Sequence, residues 1–475
     1  MSASSPAVGR EHFPRTTRGA ELPVREGRPR GWWEPLFVVT TWLILAARLF
    51  RLVSRDAVNI FFNDQWDFGD ATLFQKHPLW EMFRWQYGPH RLGLGPLVAK
   101  LVEPHFRWNS RGEAFMATAI VTAAAIGALY LKTRVWGPLR FFDIAIPLIF
   151  FTPAQYESLW LTPDFAHGPL PLLLLVLYCL ALTCERPGVR YALILILNFA
   201  AIYTGFGLFI GFVTPLWLLL DYYSRREAHR RTTGVAVALA VSIASLGSFF
   251  VGYRLDPDAP CFSLEPHSPA SYLNFAALLL VHFFGLRKYR PITSALGFIL
   301  LAAMVFVLVN LGRRFRSAKS YATRDLVPAV LAGYCLIFCA ATAYGRSCFG
   351  TYVAFSSRYT EYIALGMLSL YFYSLAARPA WARKWLPCLL VVSLLAGAAP
   401  VLPGDRRAMQ YYHDGKSNWR SCYLKTEDIH GCDMAAQFAI YTMGERTGLK
   451  EKLEYLKRTK QNLYSDIDNE KEEGH

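Results

Sequence analysis

The sequence predicts an all-α polytopic membrane protein with about eleven transmembrane helices. Hydrophobic residues make up 53% of its 475 residues and charged residues only 18%, whereas an ordinary soluble domain is roughly 25% charged. The mean hydropathy of +0.23 means that one soluble core could not bury all the apolar residues. This composition excludes a disordered chain, a coiled coil and a disulfide-rich miniprotein.

Apolar runs of transmembrane length recur along most of the chain. A spanning helix needs about 20 mostly apolar residues. The predicted spans are 36–53, 113–131, 141–153, 167–183, 190–204, 206–222, 233–253, 292–311, 325–343, 358–377 and 385–402. The third and fifth spans are short, so the total number of spans could differ from eleven by about one or two. A further apolar stretch, residues 272–286, is predicted to lie on the membrane or to dip into it.

The formal charge of +15 is located in alternate loops. On a soluble protein it would suggest a nucleic-acid partner, whereas on a membrane protein it marks cytoplasmic loops. Basic clusters occur in residues 1–35 and in every second loop, for example at 225–231 and 313–324. The positive-inside rule therefore predicts a cytoplasmic N-terminus in the inner membrane, with membrane lipids and not nucleic acid as partners.

Three regions follow from this topology. They are a basic cytoplasmic tail (1–35), a transmembrane domain (36–402) whose long outer loop covers 54–112, and an extracytoplasmic C-terminal module (403–475). Aromatic and leucine residues in the outer loop predict helices that lie in the membrane interface. In the module, residues 433–463 are predicted to be helical, with Leu449, Leu453 and Leu456 on one face.

Four cysteines fall on the predicted outer side, where disulfides are stable. Cys422 and Cys432 flank a short segment of the module, and Cys261 and Cys348 lie in two outer loops. Both pairs are candidate disulfides, and spacing alone fixes neither.

The outer loop carries two aspartates three residues apart. Asp64 and Asp67 would share one side of a helical turn just after the first span. A carboxylate there could act as general base on a hydroxyl or help to hold a divalent cation. Alternatively, the pair caps a helix or binds a nearby arginine. Asp67 ranks slightly higher because Trp66 and Phe68 could stack on a sugar.

Other outer segments supply candidate substrate-binding residues. These are His90, Arg91, Glu157, Asp164, Arg346, Arg358 and Tyr359. Arginine binds phosphate oxygens through paired hydrogen bonds. In the alternative interpretation, His90 is structural, and Arg358 and Tyr359 mark a helix end at the headgroups. We expect all these groups to converge with the aspartates on one cavity.

The layout resembles the C-type glycosyltransferase superfamily (GT-C). The motifs that carry the resemblance are Asp64-Gln65-Trp66-Asp67, Pro89-His90-Arg91 and Ser357-Arg358-Tyr359. The resemblance implies transfer of a sugar from a polyprenyl-phosphate donor, with Asp64 or Asp67 as the base and Arg358 at the donor phosphate. The first outer loop lacks an Asp-x-Asp motif, and no proline follows Tyr359, so metal dependence and the donor lipid stay open.

The main alternative function is transport or flipping of a lipid-linked saccharide. Transporters show internal repeats and interrupted helices with polar residues near the middle of the membrane. The sequence has no clear repeat, and its ionisable residues concentrate at the outer face. This distribution favours chemistry at the membrane surface. A non-catalytic scaffold would leave the clustered outer acids without a role.

Overall fold

The computed structural model describes residues 31–254, 261, 268–377, 379–442 and 448–466. The predicted basic tail up to residue 30, most of the outer loop at 255–267 and the last nine residues lie outside this part of the chain. The described residues are 78% helical with almost no sheet, which confirms the predicted all-α class. Their sheet structure is one small hairpin, of strands Gln86–Tyr87 and His90–Arg91.

Seven helices are long and apolar enough to cross a membrane, which indicates a multi-pass membrane protein. They are Trp33–Asp56, Ser110–Trp136, Gly205–Glu227, Thr233–Phe250, Pro291–Ala318, Thr323–Phe349 and Ala380–Gly397. Each contains at least 18 residues, or about 27 Å at 1.5 Å per residue, close to the thickness of a bilayer core.

The other apolar helices are shorter. They are Phe141–Gln155, Pro169–Ala181, Pro187–Ile202 and Pro269–His282, with Thr360–Leu375. Many of their side chains are buried by neighbouring helices, and short elements are tolerated at membrane depth where protein surrounds them. In Pro269–His282 every residue from Phe275 onward is buried. Other parts of the chain therefore cover the second half of this segment, and its placement on the membrane or dipping into it stays a prediction.

Residues 57–109 and the described part of 403–466 cover one end of the bundle, which we call the capped end. Its first segment contains helices Asp64–Gly69, Leu79–Phe83 and Leu94–Val102, a π-helical turn Asp70–Phe74 and a 3₁₀ turn Glu103–Phe106. Its second contains helices Pro403–Thr426, Ile429–Ala436 and Leu449–Thr459 and a 3₁₀ turn Asn462–Tyr464. Trp80 and Leu101 are 63% and 72% exposed, as expected of helices at a membrane interface.

Residues 433–463 of the module, predicted to be helical, hold the end of one helix and the whole of a second, Leu449–Thr459. Ile429–Ala436 ends at Gln437, whose φ of 47° is left-handed, and a non-helical strip follows through Thr442. The predicted apolar face of the later helix is confirmed, because Leu449, Leu453 and Leu456 are all buried.

Asn462 fastens the module to the first loop through five hydrogen bonds, one of them from its Nδ2 to Ser110 Oγ at 3.2 Å. It is fully buried. Its Oδ1 accepts from Phe61 N–H at 3.1 Å and its Nδ2 donates to Trp108 O at 2.7 Å. Its backbone N–H donates to Arg107 O at 2.8 Å, and its carbonyl accepts from Asn59 Nδ2 at 2.7 Å. A buried amide satisfied in this way specifies one docking geometry.

Both candidate disulfides are present. Cys422 and Cys432 join the first two helices of the module, with Cα atoms 5.6 Å apart, and the Cα atoms of Cys261 and Cys348 are 5.4 Å apart. Five of the nine cysteines remain as thiols.

Counting thiols tests both bonds. Denatured, unreduced protein should take up five maleimide groups, and reduced protein nine, by intact mass. Replacing Cys422 and Cys432 with serine should leave the unreduced count at five and lower stability by about 2 to 3 kcal/mol. Cys184→Ser, which removes a free thiol, is the control and should lower the count to four. Nine groups on unreduced parent protein would contradict both bonds.

Candidate functional site

The carboxylate helix Asp64–Gly69 begins where the module touches the first loop. Asn63, just before it, has a left-handed φ of 45°, which asparagine tolerates better than most residues. Its N–H donates to Ile440 O at 2.9 Å, and its Oδ1 accepts from Thr442 Oγ1 at 2.8 Å. The module therefore fixes the start of the helix, and Asp64 and Asp67 both lie in its first turn.

Two tyrosine hydroxyls hold the carboxylates. Tyr87 Oη lies 3.0 Å from Asp64 Oδ1 and 3.1 Å from Asp67 Oδ2, and Tyr441 Oη donates to Asp67 Oδ1 at 2.6 Å. Burial and the neighbouring carboxylates raise the pKa of both phenols above the ordinary value, so both remain neutral donors at physiological pH.

The two aspartates differ in what remains accessible. Both oxygens of Asp67 contact a tyrosine hydroxyl, whereas Asp64 Oδ2 accepts no hydrogen bond from the residues that the structure describes. An oxygen without a protein partner is available to a substrate hydroxyl. Asp64 is therefore the more accessible of the two carboxylates, whereas the sequence analysis ranked Asp67 slightly higher.

Trp66 is part of the core. It is fully buried and its ring centroid lies 5.4 Å from that of Phe61 and 6.2 Å from that of Phe74. Residues two apart on a helix do not share a face, so Trp66 points inward while Asp64 does not. The prediction that Trp66 binds a sugar is corrected: it has no free face for stacking. Phe68 is only partly buried and packs edge-on against Trp85.

Arg358 and Glu157 form an ion pair beside the aspartates. Arg358 Nε donates to Glu157 Oε1 at 2.9 Å, its Nη2 contacts the same oxygen, and Ser356 Oγ donates to Oε2 at 3.1 Å. Asp64 also acts electrostatically on the guanidinium. Arg358 is half exposed, and its Nη1 donates to no group in the described chain. Donors are therefore left for an anionic ligand.

The hairpin sends its four strand residues to two faces. Tyr87 pairs with His90 and Gln86 pairs with Arg91, and successive strand residues point to opposite sides. Tyr87 reaches the aspartates, and the His90 ring lies 5.0 Å from that of His167. The Arg91 guanidinium instead donates to Val251 O at 2.7 Å. The structure therefore corrects the expectation that Arg91 joins this site.

His90, His167 and Tyr359 surround the ring of Phe206. The centroid of Phe206 lies 4.4 Å from that of His90, 6.0 Å from that of His167 and 6.4 Å from that of Tyr359. His167 Nδ1 contacts Asp164 Oδ2 at 2.9 Å. Burial, and then the charges of His167 and Arg346, hold the pKa of His90 well below its usual value, so His90 is neutral at pH 7. The geometry thus brings together residues from four separate segments of the sequence.

Sequence reasoning missed several residues at this site: Tyr87, Phe206, Glu361 and Tyr441. Glu361 is fully buried at the start of Thr360–Leu375 and accepts from Ser158 Oγ. A carboxylate in an apolar helix is a functional candidate by default, so the sequence did contain a signal that could have identified Glu361. No sequence signal identified Tyr441, because its contact with Asp67 depends on how the module docks.

The site can abstract a proton next to an anion. Asp64 supplies an open carboxylate oxygen, while Arg358 and Arg346 supply positive charge. In the described residues no three His, Cys, Asp or Glu side chains group closely enough to hold a metal ion.

Comparison of the chain with protein-family models, curated proteins and solved structures found no match.

The assignment of Trp66 to the core is testable by mutation. Trp66→Ala should lower the free energy of unfolding by about 3 to 5 kcal/mol, because it empties a buried aromatic position. Phe68→Ala, at a partly exposed neighbour, should cost about 1 kcal/mol. Thermal unfolding in detergent measures both changes. Equal stability of Trp66→Ala and the parent protein would contradict the assignment.

Proposed function

We propose that the protein is an integral membrane glycosyltransferase that moves a sugar from a polyprenyl-phosphate donor to an acceptor hydroxyl. The observation that carries the proposal is the open oxygen of Asp64 within electrostatic reach of Arg358. General-base catalysis and neutralisation of a leaving phosphate need these two groups side by side.

In the proposed reaction, the acceptor oxygen forms a bond to the anomeric carbon of the donor sugar. The bond from that carbon to the phosphate oxygen breaks, and polyprenyl phosphate leaves with the bonding electrons. Asp64 takes the proton of the acceptor hydroxyl. Arg358 and Arg346 stabilise the negative charge that grows on the phosphate. Asp67, held by Tyr87 and Tyr441, keeps the carboxylate helix in position.

We further propose eleven crossings with the capped end outside the inner membrane. Four shorter segments, 141–155, 169–181, 187–202 and 360–375, would add to the seven long helices. Basic clusters at the opposite end support this orientation, for example in the last turn of the helix that ends at Glu227. The N-terminus would then be cytoplasmic and the module extracytoplasmic.

Membranes that contain the protein should transfer label from polyprenyl-phosphate sugars to an acceptor. Asp64→Asn should reduce turnover at least about 100-fold, since a general base contributes roughly that much or more. Asp67→Asn should cost about tenfold, through loss of positioning. Glu454→Gln, at an exposed residue of the module, is the matched control and should be neutral.

Two outcomes would contradict the proposal. One is full turnover by Asp64→Asn at parental abundance. The other is movement of labelled lipid across the bilayer without any new glycosidic bond, which would instead indicate the flippase alternative.

A further inference from the structure

A second cationic cleft lies on the opposite face of the hairpin from Tyr87 and His90. It has a volume of about 430 Å³, and three guanidiniums line it, those of Arg84, Arg91 and Arg254. Gln86 lines it too, as the cross-strand partner of Arg91. Strand alternation therefore separates this cleft from the site around Asp64.

Within the described part of the chain, little compensates the positive charge of the cleft. Among the described residues, no carboxylate forms an ion pair with any of the three arginines. Glu81 lines the cleft but contacts His77, at 3.2 Å. Like charges that line one cleft repel each other, and an anion between them relieves the repulsion.

Arg91 is the most constrained of the three arginines. Its residue is only 2% exposed, and its Nε is buried without a hydrogen-bond partner in the described chain. A buried guanidinium donor without a partner is costly. An anion bound in the cleft would lower this cost, because it would neutralise charge and supply acceptors.

Exposed apolar residues adjoin the lining of the cleft in the sequence. Trp80, which lines the cleft, and its neighbour Leu79 are 63% and 65% exposed, and Phe250 and Val251, just before Gly252 of the lining, are 49% and 66% exposed. The apolar helix Thr233–Phe250 ends here, and Gly252 and Arg254 follow it into the cleft. The cleft therefore lies where a crossing helix would leave the hydrocarbon core, at the depth of lipid phosphates.

We propose that this cleft binds the phosphate group of an anionic membrane phospholipid, with the acyl chains against these exposed apolar residues. The three arginines bind the phosphate oxygens, and Trp80 lies at the interface between headgroup and chain. The proposal does not depend on the glycosyltransferase function.

Binding to purified full-length protein in neutral detergent tests the site. The probes are phosphatidylglycerol, phosphatidylcholine and inorganic phosphate, and the readouts are bound lipid by native mass spectrometry and the shift in melting temperature. The variant Arg84→Gln/Arg254→Gln alters two exposed residues and leaves buried Arg91 in place, so it should fold. Arg407→Gln, at an exposed arginine of the module, is the matched control.

Phosphatidylglycerol should raise the melting temperature of the parent and of Arg407→Gln more than phosphatidylcholine does. The double variant should bind it at least about tenfold more weakly, because it loses charge-assisted hydrogen bonds to phosphate. If inorganic phosphate alone gives the same arginine-dependent stabilisation, the lipid proposal is overturned and the cleft is a site for free phosphate. If the double variant and the parent respond equally to every probe, the proposal is overturned.

Discussion

The structure at the capped end depends on how the C-terminal module docks onto the first loop. Asn462 fixes this docking with five buried hydrogen bonds. Once it is fixed, the strip from Ile440 to Thr442 lies against Asn63 and Asp67. The two surfaces are far apart in the sequence: Asn462 and Phe61 are separated by 401 residues. No local interaction could therefore replace the docking.

The hairpin next to the docked module has two chemically different faces. One face presents Tyr87 and His90 to the carboxylates and the aromatic cluster, and the other presents Gln86 and Arg91 to the arginine cleft. Two strands of two residues are enough, because side chains alternate along a strand. A ligand in the arginine cleft would therefore also restrain the hairpin that carries Tyr87.

Properties that depend on local sequence could be predicted. Hydropathy is a sum over one segment, so the long helices and the apolar face at Leu449, Leu453 and Leu456 followed from the sequence. The three-residue spacing of Asp64 and Asp67 likewise placed both carboxylates in one helical turn. Short buried segments such as Pro269–His282 were harder, because burial there comes from neighbouring helices.

Properties that depend on contacts between distant parts of the sequence could not be predicted. Trp66 has an aromatic side chain of the kind that stacks on sugars. Only its packing against Phe61 and Phe74 shows that it belongs to the core. Arg91 follows His90 in the sequence, yet its side chain lies on the other face of the hairpin. A hairpin this short gives only a weak signal in the sequence, so the two faces could not be assigned. The contact of Tyr441 with Asp67 could be known only once the docking of the module was known.

The most direct test of the account is a double-mutant cycle between Tyr441 and Asp67, which measures whether the module and the carboxylate helix interact. The free energy of unfolding would be measured for the parent, Tyr441→Phe, Asp67→Ala and the double variant. The account predicts a coupling energy of about 1 to 2 kcal/mol, the range of a hydrogen bond to a charged group. Additive effects, with a coupling below about 0.3 kcal/mol, would contradict it.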